Sequence, residues 1–190
     1  GNMSRREEML FKNTEFVGYS DLNKKPGFQM GMHRTKDGRY YLYTACFRDN
    51  GFNIVDVTDP AKPVAKWVEG DWVGEVHDGQ SLAKLQVADG QLIACYGGTL
   101  RVLHGTPEQP YWGGFKIYDI ETDPLNPKLL GQFECEDGPG VHRSFYNGGD
   151  YAYIMGSKRN FRGYILRIVD ISDPSSPTEV GSWWADGQYL

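Results

Sequence analysis

The sequence predicts an all-β fold: a β-propeller of about three four-stranded blades plus an N-terminal orphan outer strand, half of a larger closed ring. Three observations carry the prediction. Gly31-Met32-His33, Glu75-Val76-His77 and Gly140-Val141-His142 each open a unit. Each unit closes on an Asp-containing strand followed by Asp-Pro: Ile54 to Pro60, Ile117 to Pro124 and Ile168 to Pro174. With 24 Gly, 12 Tyr, 9 Phe and 5 Trp, the chain suits many short strands and many turns. A repeat of this size built from short strands signals a propeller or a β-solenoid, and four strands in roughly 45–50 residues match a propeller blade.

The elements follow in order. A helix near Met3 to Phe11 is the one helical segment the pattern allows. Residues 11–21 read as a closing outer strand, because Thr14-Glu15-Phe16-Val17-Gly18-Tyr19 resembles Thr178-Glu179-Val180-Gly181-Ser182-Trp183. Residues 27–71 form the first blade, with strands at Tyr40 to Cys46, Phe52 to Val57 and Val64 to Val68 after the His33 strand. Residues 72–136 form the second, with strands near Gln80 to Leu85, Gln91 to Tyr96, Gly114 to Ile120 and Lys128 to Phe133, and an insertion over 97–113. Residues 137–186 form the third, with strands Val141 to Phe145, Tyr151 to Met155, Tyr164 to Ile171 and Thr178 to Trp184. Lys36-Asp37-Gly38 and Ala88-Asp89-Gly90 are hairpin turns; Asp173-Pro174-Ser175-Ser176-Pro177 is a turn that proline keeps out of a central strand. His77 follows His33 by 44 residues (77 − 33) and His142 follows His77 by 65 (142 − 77), so the second unit carries the insertion. In an up-and-down blade such a loop emerges beside the link into the first strand, where it can wall or cover a site. Three blades cannot close a ring, so either the chain is part of a longer protein or the remaining half comes from a second chain or from a homo-oligomer.

Composition narrows the function. A formal net charge of −5 argues against nucleic-acid binding, which needs a basic surface. No apolar run reaches the roughly 20 residues of a transmembrane helix, and residues 1–8 lack the apolar stretch of a signal peptide. Cys46, Cys95 and Cys135 read as buried reduced thiols, which fits a cytoplasmic location. There is no phosphate loop, nucleophile elbow or Cys-x-x-Cys pair.

The segments Phe52 to Pro60, Gly114 to Ile120 and Leu166 to Pro174, the last followed by Val180-Gly181, resemble the LVIVD-repeat family of β-propellers. The third segment is the most specific; the second departs at Tyr118 and Glu121. The resemblance implies the propeller fold and an N-terminal half of a longer family member. It implies no particular chemistry.

The histidines support a metal site, a structural role or a metal-free ligand pocket. If His33, His77 and His142 converge from successive inner strands, they form a metal site for Fe, Zn, Mn or Cu, with open positions for water or substrate. Asp78 and Arg143, directly after two of them, would orient a ligand or bind a substrate carboxylate, and His104 in the insertion would serve as general acid–base. In the structural reading the histidines are bonded within their own blades, with Asp56, Asp119 and Asp170 as partners. The favoured function is a metal-dependent enzyme acting on a small organic molecule over the central channel, with hydrolase, lyase and oxygenase chemistry open. The alternative is a non-catalytic platform binding a protein or polymer.

Overall fold

The structure, a computed structural model, describes residues 12–46, 51–70, 72–73, 76–78, 84–97, 111–135 and 138–190. The first blade is β1 (Gly27–Arg34), β2 (Tyr40–Cys46), β3 (Gly51–Asp56) and β4 (Val64–Glu69), antiparallel in sequence order. Two short strands follow, β5 (Trp72–Val73) and β6 (Val76–Asp78). The second blade contains β7 (Leu85–Ala88) and β8 (Gln91–Tyr96), then, after the two-residue strand β9 (Tyr111–Trp112), β10 (Gly114–Asp119) and β11 (Lys128–Glu134). The third is β12 (Val141–Phe145), β13 (Tyr151–Gly156), β14 (Ile165–Asp170) and β15 (Thr178–Trp183). These are three blades of β-propeller type. Strands β5, β6 and β9 form a separate small sheet.

One expectation changes. The inner strand of the second blade is Leu85–Ala88 rather than Gln80 to Leu85, and it turns into β8 through Asp89 and Gly90, both at positive φ as a two-residue hairpin requires. Residues 14–20, expected as an outer strand for a blade from elsewhere, pair with no strand of this chain. The helix expected near Met3 to Phe11 lies outside the described residues.

Alternation along each strand explains the packing. Successive residues face opposite sides of a sheet. In β8, Leu92, Ala94 and Tyr96 face the first blade, while Ile93 and Cys95 face the third. Both faces are covered, which is why this strand reads as a continuous apolar run. One core joins blades one and two through Tyr41, Tyr43, Phe52, Ile54, Leu92 and Ile120. A second joins blades two and three through Ile93, Phe115, Ile117, Val141, Ile154 and Val169. The Tyr43 hydroxyl donates to Pro124 O at 2.6 Å, tying a second strand to the next blade's turn.

The inner strands β1, β7 and β12 touch across blades and define the axis side. Leu85 N donates to Gln29 Oε1 at 3.1 Å, and Tyr146 N donates to Gln86 Oε1 at 3.3 Å. The repeated Asp-Pro turns join the third and fourth strands of each blade. Asp56, Asp119 and Asp170 each accept, through Oδ1, from a backbone N–H two residues on: Thr58, Glu121 and Ser172. These are local Asx turns. The Thr122 hydroxyl holds Asp119, and the Ser172 hydroxyl holds Asp170, below the usual carboxylate range.

Candidate functional site at the start of the inner strands

The hairpin register decides which histidines can meet. His33 stands opposite Tyr41, and Tyr41 opposite Asp56. In the third blade the residue opposite the repeated aspartate Asp170 is Tyr151. His142 lies four to five residues further along, in a bulge between Val141, opposite Gly156, and Arg143, opposite Met155. At about 3.3 Å per residue the two histidines differ in height by roughly 15 Å. They occupy opposite ends of the inner strands. His77 is not on an inner blade strand: it lies in β6, opposite Trp72 and beside Tyr111 of the parallel strand β9. The side chains of His77 and Asp78 and all of His104 lie outside what is described. The histidines therefore do not share one repeat position, and His33 and His142 cannot both be ligands of a single ion, whose ligands stand at roughly 2.0–2.2 Å from it. Among the described residues no group of three or more His, Cys, Asp and Glu side chains is placed to hold a metal.

His33 belongs to the turn end. It is 6% exposed, and its Nε2 lies 3.2 Å from Glu121 Oε2 of the second blade, close but without the alignment of a hydrogen bond. The groove beside it, about 560 Å³, runs between the His33 strand end and the Asp89-Gly90 hairpin. The partner of His33 is thus a carboxylate of the neighbouring blade, rather than the aspartate of its own.

The opposite end gathers different chemistry. The first strands of three successive blades begin here, with Phe28, Lys84, His142 and Arg143. Lys84 is 7% exposed, and its Nζ sits 4.4 Å above the Phe28 ring, a cation–π contact between blades. Burial lowers the Lys84 pKa, and the charge of Arg143 lowers it further. Burial likewise lowers that of half-buried His142, which also feels Arg143 and Lys84. The His142 ring packs on Tyr164 with centroids 5.1 Å apart. Arg143 itself is exposed.

Both ends of the insertion arrive at this edge. Gly97 bridges Gly140, and Gly113 packs so closely on Gly140 that a Cβ would collide with it. Trp112 is buried against Tyr96, with ring centroids 6.1 Å apart. The expected proximity of the insertion to a histidine holds at these ends for His142 and fails for His33; residues 98–110 lie outside the described set. Sequence reasoning missed Phe28 and Lys84. The signal available was a lone lysine placed directly before the apolar strand Leu85–Ala88.

The three thiols are buried. Burial pushes Cys95 up to about 12 and Cys135 up to about 11. Neither is a nucleophile at neutral pH.

Three antiparallel four-stranded blades, packed face to face with their first strands together, define a repeat protein of the propeller class. The LVIVD repeat family model matches residues 40–68 and 147–184, which cover β2 to β4 of the first blade and β13 to β15 of the third. The chain thus carries LVIVD repeats in its first and third blades. No curated protein matches it. Among the described residues no helix is long and apolar enough to cross a membrane.

Proposed function

We propose that the protein binds a small anionic organic molecule at the edge where its inner strands begin. The observation that carries this is the meeting of Lys84, His142 and Arg143 from two successive blades, with the Lys84 ammonium buried against Phe28 of a third. Burial and then the charge of Arg143 lower the pKa of both Lys84 and His142, and an anion between these groups relieves that cost. A guanidinium adds paired hydrogen bonds to a carboxylate or phosphate, and Phe28 and Tyr164 offer apolar walls to the rest of the ligand. Buried thiols support a cytoplasmic setting.

Calorimetry with inorganic phosphate and with citrate, against potassium chloride at matched ionic strength, tests the reading. Saturable binding of either anion, weakened at least tenfold by Lys84→Met, is expected. Equal binding by wild type and variant would refute it. The metal-dependent enzyme suggested by the histidine spacing is tested on the same sample by elemental analysis. A stoichiometric transition metal lost in His77→Ala or His142→Ala would replace the anion reading with that one.

A further inference from the structure

The three blades touch by one repeated contact. Ile54, Ile117 and Ile168 are equivalent third-strand residues, and they pair with Lys66, Gly131 and Gly181 of the fourth strands. Lys66 Nζ donates to Leu125 O and to Asn126 Oδ1, both at 2.7 Å, in the second blade's Asp-Pro turn. Gly131 lies so close to Pro174 O, in the third blade's turn, that a Cβ would collide with it. Gly18, in the segment before the first blade, meets Pro60 O of the first turn in the same way. The fourth-strand position of one unit thus seats on the Asp-Pro turn of the next. Gly181 breaks the series: a Cβ there would meet only Ile168 of its own blade, at ordinary contact distance.

The broad face beside Gly181 says the same. In the second blade the front face is Ile93, Cys95, Phe115 and Ile117, each 0% exposed against the third blade. By register their counterparts in the third blade are Tyr153, Met155, Leu166 and Ile168. All four are apolar, and all four are only half-buried. Phe145 and Val180 beside them are 57% and 56% exposed. A face with the same pattern as a buried core, but open, is an interface awaiting its partner.

The rear face of the first blade is different. Thr44, Cys46, Asn53 and Val55 on it are buried. Asn53 Nδ2 donates to Leu22 O at 2.9 Å, and Gly18 covers Pro60. The array is therefore capped behind and open in front.

We propose that the open face of the third blade docks a fourth blade of the same repeat, whose Asp-Pro turn seats on Gly181. A second copy of this chain does not supply it, because its three turns are already engaged: Pro60 by Gly18, Leu125 and Asn126 by Lys66, and Pro174 by Gly131. This departs from the homo-oligomer suggested by blade number alone.

Two measurements test it. In the chain as it stands, Gly181→Arg should leave the melting temperature within about 2 °C of wild type, whereas Gly131→Arg should lower it by more than 5 °C or prevent folding. A comparable loss for Gly181→Arg would show that the face is not open and overturn the proposal. In the full chain extended by a second copy of residues 138–183, the melting temperature should rise and binding of a hydrophobic dye should fall, with Gly181→Arg removing both effects. An extension that changes neither would overturn the docking. So would light scattering that finds a discrete dimer of the unextended chain dissociated by Gly181→Arg, since the occupant would then be a second copy.

Discussion

His33 Nε2 lies 3.2 Å from Glu121 Oε2, across the boundary between the first and second blades. Both belong to the turn end of the axis, where the Asp89-Gly90 hairpin closes beside them. The pair joins blades, while the cationic groups gather about 15 Å away at the other end of the inner strands.

A double-mutant cycle on His33→Ala and Glu121→Gln should therefore give a coupling of about 0.5–1 kcal/mol in denaturant unfolding. The same variants should bind phosphate or citrate as the wild type does. A loss of anion binding in His33→Ala would place this histidine in the binding site.

His142 should make stability depend on pH. Its folded-state pKa lies below the ordinary value near 6.5, because of burial and then the charges of Arg143 and Lys84. The unfolded chain then binds the proton more readily, so this contribution is complete above about pH 6.5 and is lost as pH falls toward the folded value. His142→Gln should flatten the melting temperature between pH 5 and 7. An unchanged slope would mean another group sets it. Bound anion should oppose the effect by favouring the imidazolium.

Glu179 holds the only interior-facing guanidinium described in the third blade. Arg167, 7% exposed, donates to Glu179 Oε2 at 2.7 Å and to Ser157 O at 2.8 Å, and lies over the Phe133 ring of the second blade at 4.9 Å. Burial raises the Glu179 pKa, but hydrogen bonds from Arg167 and Lys158 outweigh it and hold the group low. Glu179→Gln leaves a buried cation short of its counter-charge and should cost about 3 kcal/mol in urea unfolding. Because the folded pKa is depressed, the wild-type contribution is present above the ordinary carboxylate pKa and disappears as pH falls through the folded value.

The thiols should be silent in the native protein. With Cys95 at about 12 and Cys135 at about 11, and all three cysteines buried, a disulfide-exchange reagent at pH 8 should label none until denaturant is added. Rapid native labelling of even one would show that a blade opens under those conditions.

Apart from the inner strand of the second blade, strand extents and turns were legible in the sequence because they depend on local chemistry. Alternation in Tyr151 to Met155, the Asp89-Gly90 turn and the Asp-Pro pairs each encode their own conformation within a few residues. The family resemblance was legible for the same reason, and it holds where the repeats are most regular, at residues 40–68 and 147–184. The histidine arrangement was not, because height on the axis depends on register rather than on position in the repeat. His33 precedes the second strand of its blade by 7 residues (40 − 33), His77 by 14 (91 − 77) and His142 by 9 (151 − 142). Those unequal counts were visible, but only the pairing of β1 with β2 and of β12 with β13, with its bulge at His142, turns them into distances. The tertiary structure alone decided that Lys84 lies over Phe28, that Glu121 meets His33, and that Gly131 is covered while Gly181 is open. Each depends on where one blade comes to rest against the next, and non-directional packing of apolar faces fixes that position without a motif in either strand.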